Sequence, residues 1–89
     1  MDKRKITEEA LEDINPDALF MDGFDECIAG IGAVQYDVAV VAYDLKGIIK
    51  HLEDEGMSEV EAWEYFGFNI QGAYVGENTP ILLQRVEDL

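Results

Sequence analysis

Few residues of this chain could perform chemistry, and their spacing narrows what that chemistry could be. Ser58 is the only serine, Cys27 the only cysteine and His51 the only histidine. A hydroxyl or thiol nucleophile needs a base within hydrogen-bond reach and a third group to orient that base. A triad would therefore have to join Ser58 or Cys27 to His51. Each of the three has a plainer role. Ser58 stands three residues before Glu61, the spacing of a capping box. Cys27 sits among apolar neighbours as a small buried thiol. His51 falls late in a helix, where a charged imidazole suits the negative end of the dipole. One histidine and one cysteine cannot furnish a zinc site.

Carboxylates are the remaining candidates. Asp22-Gly23-Phe24-Asp25-Glu26 resembles part of a calcium loop, but the acids required two and four residues earlier are Phe20 and Ala18. The segment reads as a tight turn whose acids cap backbone donors. A magnesium site shared by Asp22, Asp25 and a distant Asp44 or Glu77, serving a hydrolase, is the minor alternative. Gly30-Ile31-Gly32 lacks the third glycine and the following helix of a dinucleotide fingerprint, and no phosphate-loop Gly-Lys-Ser/Thr occurs. The expectation is a protein that is not an enzyme and uses no cofactor and no metal.

Aromatic residues are better supplied. Trp63, Tyr65, Phe66, Phe68 and Tyr74 crowd into one stretch. Val60, Trp63, Phe66 or Gly67, Ile70 and Tyr74 recur at helical spacing and predict an inner face. Tyr65 and Phe68 then point elsewhere. A helix apolar on more than one side needs more than one burying surface, and 89 residues offer few, which predicts a homo-oligomer. The candidate binding residues are thus Asp22, Phe24, Asp25, Trp63, Tyr65, Phe68 and Tyr74.

The elements that must position these residues follow from local signals. Residues 1–5 read as a flexible tail. Thr7 reads as the cap of a short helix with Ala10, Leu11 and Ile14 inside, ended by Asn15-Pro16. Cys27–Val34 and Asp37–Tyr43 read as strands, the first with glycines that suggest a bulge or a close backbone approach. A turn near Gly32 to Tyr36 would make them an antiparallel hairpin. Both strands are apolar on both faces, so helices should cover one side and the N-terminal segment or a second copy the other. Asp44 is placed to cap a helix with Leu45, Ile48, Ile49 and Leu52 inside and a Lys50–Asp54 pair outside. Gly56 should end it in a left-handed turn that sets Met57 on Leu52. Ser58 opens the next helix, in which Gly67 and Gly72 imply close packing and Gly76 the stop. Thr79-Pro80 then leads into a strand over 81–86. The fold class is α+β: a small sheet of a β-hairpin and a C-terminal strand, packed by an αα-hairpin, with a short N-terminal helix. It is one domain over 1–89.

Charge bounds the partners. The chain carries a net charge of −14. Lys3, Arg4 and Lys5 give the N-terminal end +2, and the other 84 residues hold nineteen acids against Lys46, Lys50 and Arg85. Such a surface repels nucleic-acid phosphates and anionic lipids, and no apolar run is long enough to cross a bilayer. Direct nucleic-acid binding and membrane association are not expected. The acidity serves solubility, or it engages a basic partner or imitates a nucleic acid. A lone cysteine with no signal peptide fits a reducing cytoplasm.

Leu19-Phe20-x-Asp22-Gly23-Phe24-Asp25-x-x-Ile28-x-Gly30, then Ala42-Tyr43-Asp44, Gly56-Met57-Ser58, Glu64-Tyr65-Phe66-x-Phe68-Asn69 and Gly72-Ala73-Tyr74-Val75-Gly76-Glu77-x-Thr79-Pro80-Ile81 together resemble a family of small phage- and prophage-encoded proteins. The similarity spans about residues 19–81. Gly47 departs from the larger, more basic residue common there. The resemblance implies a setting, phage or prophage expression in bacterial cytoplasm, and no residue role. The reading is a small acidic protein acting by binding, as a homo-oligomer that engages a host or phage protein. Its alternatives are a small-molecule or nucleotide sponge, with a pocket at an oligomer interface lined by Trp63, Tyr65 or Tyr74, and a nucleic-acid-mimicking inhibitor.

Overall fold

A computed structural model describes residues 1–34, 38–70 and 76–89, with backbone alone at 33, 34 and 38. The elements run α1 (Lys3–Leu11), β1 (Ile28–Val34), β2 (Val38–Asp44), α2 (Leu45–Asp54), α3 (Glu59–Asn69) and β3 (Ile81–Leu83). Short 3-10 turns occupy Asp25–Cys27 and Val86–Asp88. The architecture is α+β, as the sequence predicts: a three-stranded sheet on which α2 and α3 pack as a pair.

The strand order is β1-β2-β3, with β1 antiparallel and β3 parallel to the central β2. Gly32 lies within β1, opposite Val40, not in the turn the sequence suggests. The residues joining the two strands, Tyr36 and Asp37 among them, fall outside those described. The expected bulge is present, since the register shifts between Ile28 and Gly30. The close approach at Gly32 comes from a side chain. Ile81 reaches from β3 across the central strand, and a Cβ at Gly32 would collide with its Cδ1.

Side-chain alternation gives the sheet two faces. Ile28, Ala39, Val41, Tyr43 and Leu82 share one, and it packs on Ile48, Ile49 and Leu52 of α2 and Ala62 and Phe66 of α3. The N-terminal segment adds Leu11, Phe20, Met21 and Phe24 to this core. The other face holds Val40, Ala42, Ile81 and Leu83. The first two are buried, while Ile81 and Leu83 keep about 40% of their surface in water.

Helix boundaries follow their caps, with corrections. α1 begins at Lys3 because Asp2 accepts the Lys5 amide at 3.0 Å, so residues 1–5 supply a cap and a first turn where a tail was expected. Thr7 is inside the helix, buried, donating to the Lys3 carbonyl at 2.6 Å. Ala10 and Ile14 are exposed, leaving Leu11 as the inner apolar residue. Asn15 lies beyond the helix and ties the fold together. Its Nδ2 donates to the Ala39 carbonyl and to Asn78 Oδ1, each at 2.9 Å.

The α2–α3 connection behaves as its residues dictate. Gly56 has φ +110, its amide bonds Glu53, and the Met57 amide bonds Leu52, the two bonds of a Schellman ending. Ser58 and Glu61 then form the reciprocal capping box. Asp44 stands at the N-cap of α2 but makes no capping bond: its Oδ2 accepts from Arg85 Nε at 3.3 Å, and its Oδ1 is buried with no hydrogen-bond partner among the described residues. The Lys50–Asp54 pair does not form: among the described residues Lys50 has no ion pair. Among the described residues no side chain comes within 4 Å of a Cβ built at Gly67, and Gly72 is outside the described residues. α3 ends at Asn69, well before Gly76, which instead turns with φ +114.

Candidate binding surfaces

The predicted site residues separate into two places. Asp22, Phe24 and Asp25 surround the turn before β1. Gly23 has φ +87 there, and the Phe24 amide closes on the Met21 carbonyl at 3.3 Å. Among the described residues neither acid caps a backbone donor, contrary to the sequence reading. Asp25 accepts Arg4 Nη1 at 3.4 Å, and the Arg4 guanidinium lies 4.0 Å from the centre of the Phe20 ring. Phe24 is half-buried, its ring 5.1 Å from that of His51 at 59°. His51 in turn reaches Glu55 at 3.5 Å. Only Asp22 is left exposed, so this cluster knits α1 and α2 to the sheet and presents little to a partner. Among the described residues, no group of three or more His, Cys, Asp or Glu side chains gathers as metal ligands would.

Ser58 and His51 each have another partner, and no hydrogen bond among the described residues links them to each other or to Cys27. Cys27 is buried, and burial, with the Asp44 carboxylate adding to it, pushes its thiol up from the ordinary value and keeps it neutral. A neutral thiol is a poor nucleophile. The Ser58 hydroxyl accepts the Glu61 amide at 3.2 Å. The Ser58 amide, donating to the Glu61 side chain, holds that carboxyl below its usual range.

The second place is α3. Its buried residues are Ala62 and Phe66, one turn apart, with Ile70 half-buried beyond the end. This corrects the predicted inner face, since Val60 and Trp63 are 67% and 45% exposed. By helical spacing Trp63 and Tyr65 flank the buried stripe on opposite sides, and Val60 and Phe68 occupy the outer face. Phe68 is 86% exposed and Tyr65 40%. Tyr74 lies outside the described residues.

Trp63 is fixed edge-on against buried Phe66, ring centres 5.9 Å apart at 86°. Its free side forms part of a groove of about 400 Å³ between α2, α3 and the C-terminal segment, floored by Leu45 and Ile49. Lys46 and Lys50 stand on the α2 wall, and Lys46 meets Asp88 at 3.3 Å. Sequence reasoning paired Lys50 with Asp54 and did not place the two lysines together at a groove. The available signal was that two of the three basic residues beyond residue 5 sit one helical turn apart, beside Ile49. Tyr65 and Phe68 do not line the groove.

No helix among the described residues is long and apolar enough to cross a membrane. Comparison with protein-family models, curated proteins and solved structures finds no match to this chain.

Proposed function

We propose that this chain works by binding and not by catalysis, associating with copies of itself through the outer side of α3 and engaging a basic protein of a phage or its bacterial host. The observation that carries this reading is the poor use α3 makes of its apolar residues. It seats Ala62 and Phe66 and leaves Val60, Trp63, Tyr65 and Phe68 at least 40% exposed. Four such side chains on one helix leave it apolar on more than one side, and such a helix needs a second surface to bury against. Glu59, Glu61 and Glu64 are interleaved with these side chains on the same helix, so α3 joins apolar contact to negative charge, which suits a basic partner. A thin catalytic inventory and a net charge of −14 point the same way. The cytoplasm of an infected bacterium is the setting that accompanies this role.

Light scattering tests the self-association. A mass well above the 10.0 kDa chain at micromolar concentration is expected, falling toward it in Phe68→Ser. A single chain at every concentration would remove the oligomer. Pulldown from bacterial lysate, beside Asp/Glu-to-Asn/Gln surface variants, tests the partner. Capture that ignores the charge changes would count against acidic recognition.

A further inference from the structure

The chain holds one of its own arginines in an informative way. Arg4 lies 4.0 Å over the Phe20 ring, with Glu8 and Asp25 oxygens each 3.4 Å from its guanidinium nitrogens. The groove beside Trp63 repeats these ingredients on two helices, with no arginine in its lining. Glu59 stands one helical turn before Trp63 on α3, and Glu53 faces them from α2. Among the described residues, neither glutamate is paired with a cation. Of the two lysines on the wall, Lys46 is held by Asp88 and Lys50 has no ion pair among the described residues. Two free carboxylates therefore outweigh one free ammonium.

We propose that this groove receives an arginine side chain of the partner protein, its guanidinium stacked on Trp63 and shared between Glu59 and Glu53, with neighbouring apolar residues of the partner on Leu45 and Ile49. Arginine fits better than lysine because its planar, weakly hydrated guanidinium can lie on a ring and fork to carboxylates at once. A trapped ring also costs little to order, since Phe66 already fixes Trp63. An anionic ligand is opposed by the field of the −14 chain. Lys50 opposes the arginine and weakens it. The inference rests on the reading of this chain as a binder of a basic protein, which supplies the arginine.

Trp63 is the only tryptophan, so its fluorescence reports the groove directly. The probes are the amidated peptide acetyl-Leu-Arg-Ala-Leu and its counterpart with glutamine in place of arginine. The arginine peptide should give a saturable change and bind on the order of fivefold more tightly. Glu53→Gln and Glu59→Gln, both at exposed sites, should weaken it, and Lys50→Ala should tighten it. Circular dichroism confirms that each variant is folded. Equal binding of the two peptides, no saturable response to either, or weaker binding in Lys50→Ala would overturn the proposal. So would saturable binding of ATP that is lost in Lys50→Ala, because it would make the groove an anion site. The two readings fail separately. A captured protein that binds equally well to Glu59→Gln and Trp63→Ala variants would leave the binding role standing and remove the arginine site.

Discussion

Tyr43 is wholly buried at the centre of the sheet, and its hydroxyl has structural work there. It accepts the Met21 backbone amide at 2.8 Å, fastening the N-terminal segment over the core. Tyr43→Phe keeps the ring and orphans that amide, so it should cost about 1–2 kcal/mol. A urea midpoint measures the loss, and an unchanged midpoint would show the bond to be dispensable. Burial also pushes the Tyr43 hydroxyl and the Cys27 thiol above their ordinary values of 10.0 and 9.0. Both are acids neutral when protonated. Above about pH 9 the unfolded chain gives up these protons before the folded one does, and so binds fewer. Stability present below that pH should therefore decline as the pH rises. Cys27→Ala should start lower but lose less between pH 8.5 and 10, a comparison of slopes by thermal melting. Parallel slopes would show that the thiol does not contribute. The burial of Cys27 was legible in its apolar neighbours. The fate of Asp44 was not, because its partner Arg85 lies 41 residues away in sequence.

Among the elements, the α2–α3 hairpin is the one whose boundaries depend on single residues. Gly56 holds φ +110, where a Cβ is strained, so Gly56→Ala should cost about 1–2 kcal/mol. Ser58→Ala removes one half of the capping box and should cost about 1 kcal/mol. Both are read from denaturant midpoints, and a neutral result at either position would mean that packing alone sets the helix ends. These caps could be read from sequence because the groups involved lie within five residues of one another. The inner face of α3 could not. The stripe through Val60, Trp63 and Ile70 and the stripe through Ala62, Phe66 and Ile70 both obey helical spacing. The structure seats the second, putting a small alanine at the contact with the neighbouring core. β3 stops at Leu83, short of the expected 81–86, because the apolar run gives way to Gln84-Arg85 and its ladder ends opposite Asp44, where β2 turns into α2. The sequence sets out three strands, but the side of the hairpin taken by the third is a property of the crossover through both helices.

For the whole molecule, the dominant fact is charge. Nineteen acids against three bases beyond residue 5 make the folded chain repel itself, and screening should relieve that repulsion. Raising NaCl from about 0.02 to 0.5 M, which shortens the screening length from roughly 20 Å to a few ångströms, should therefore raise the melting temperature. The same manipulation separates the two associations proposed for α3. Copies of this chain meet as like charges, so contact through Val60, Tyr65 and Phe68 is held by apolar burial and opposed by electrostatics. Salt should strengthen it. An arginine-bearing partner meets the groove as an opposite charge, so salt should weaken that contact, chiefly by slowing encounter. Sedimentation of the chain alone and Trp63 titration with the arginine peptide should thus move in opposite directions over one salt series. If both weakened, the self-association would rest on charge pairs such as those of Lys3, Arg4 and Lys5 with an acidic neighbour. The apolar outer face of α3 would then have no part in it.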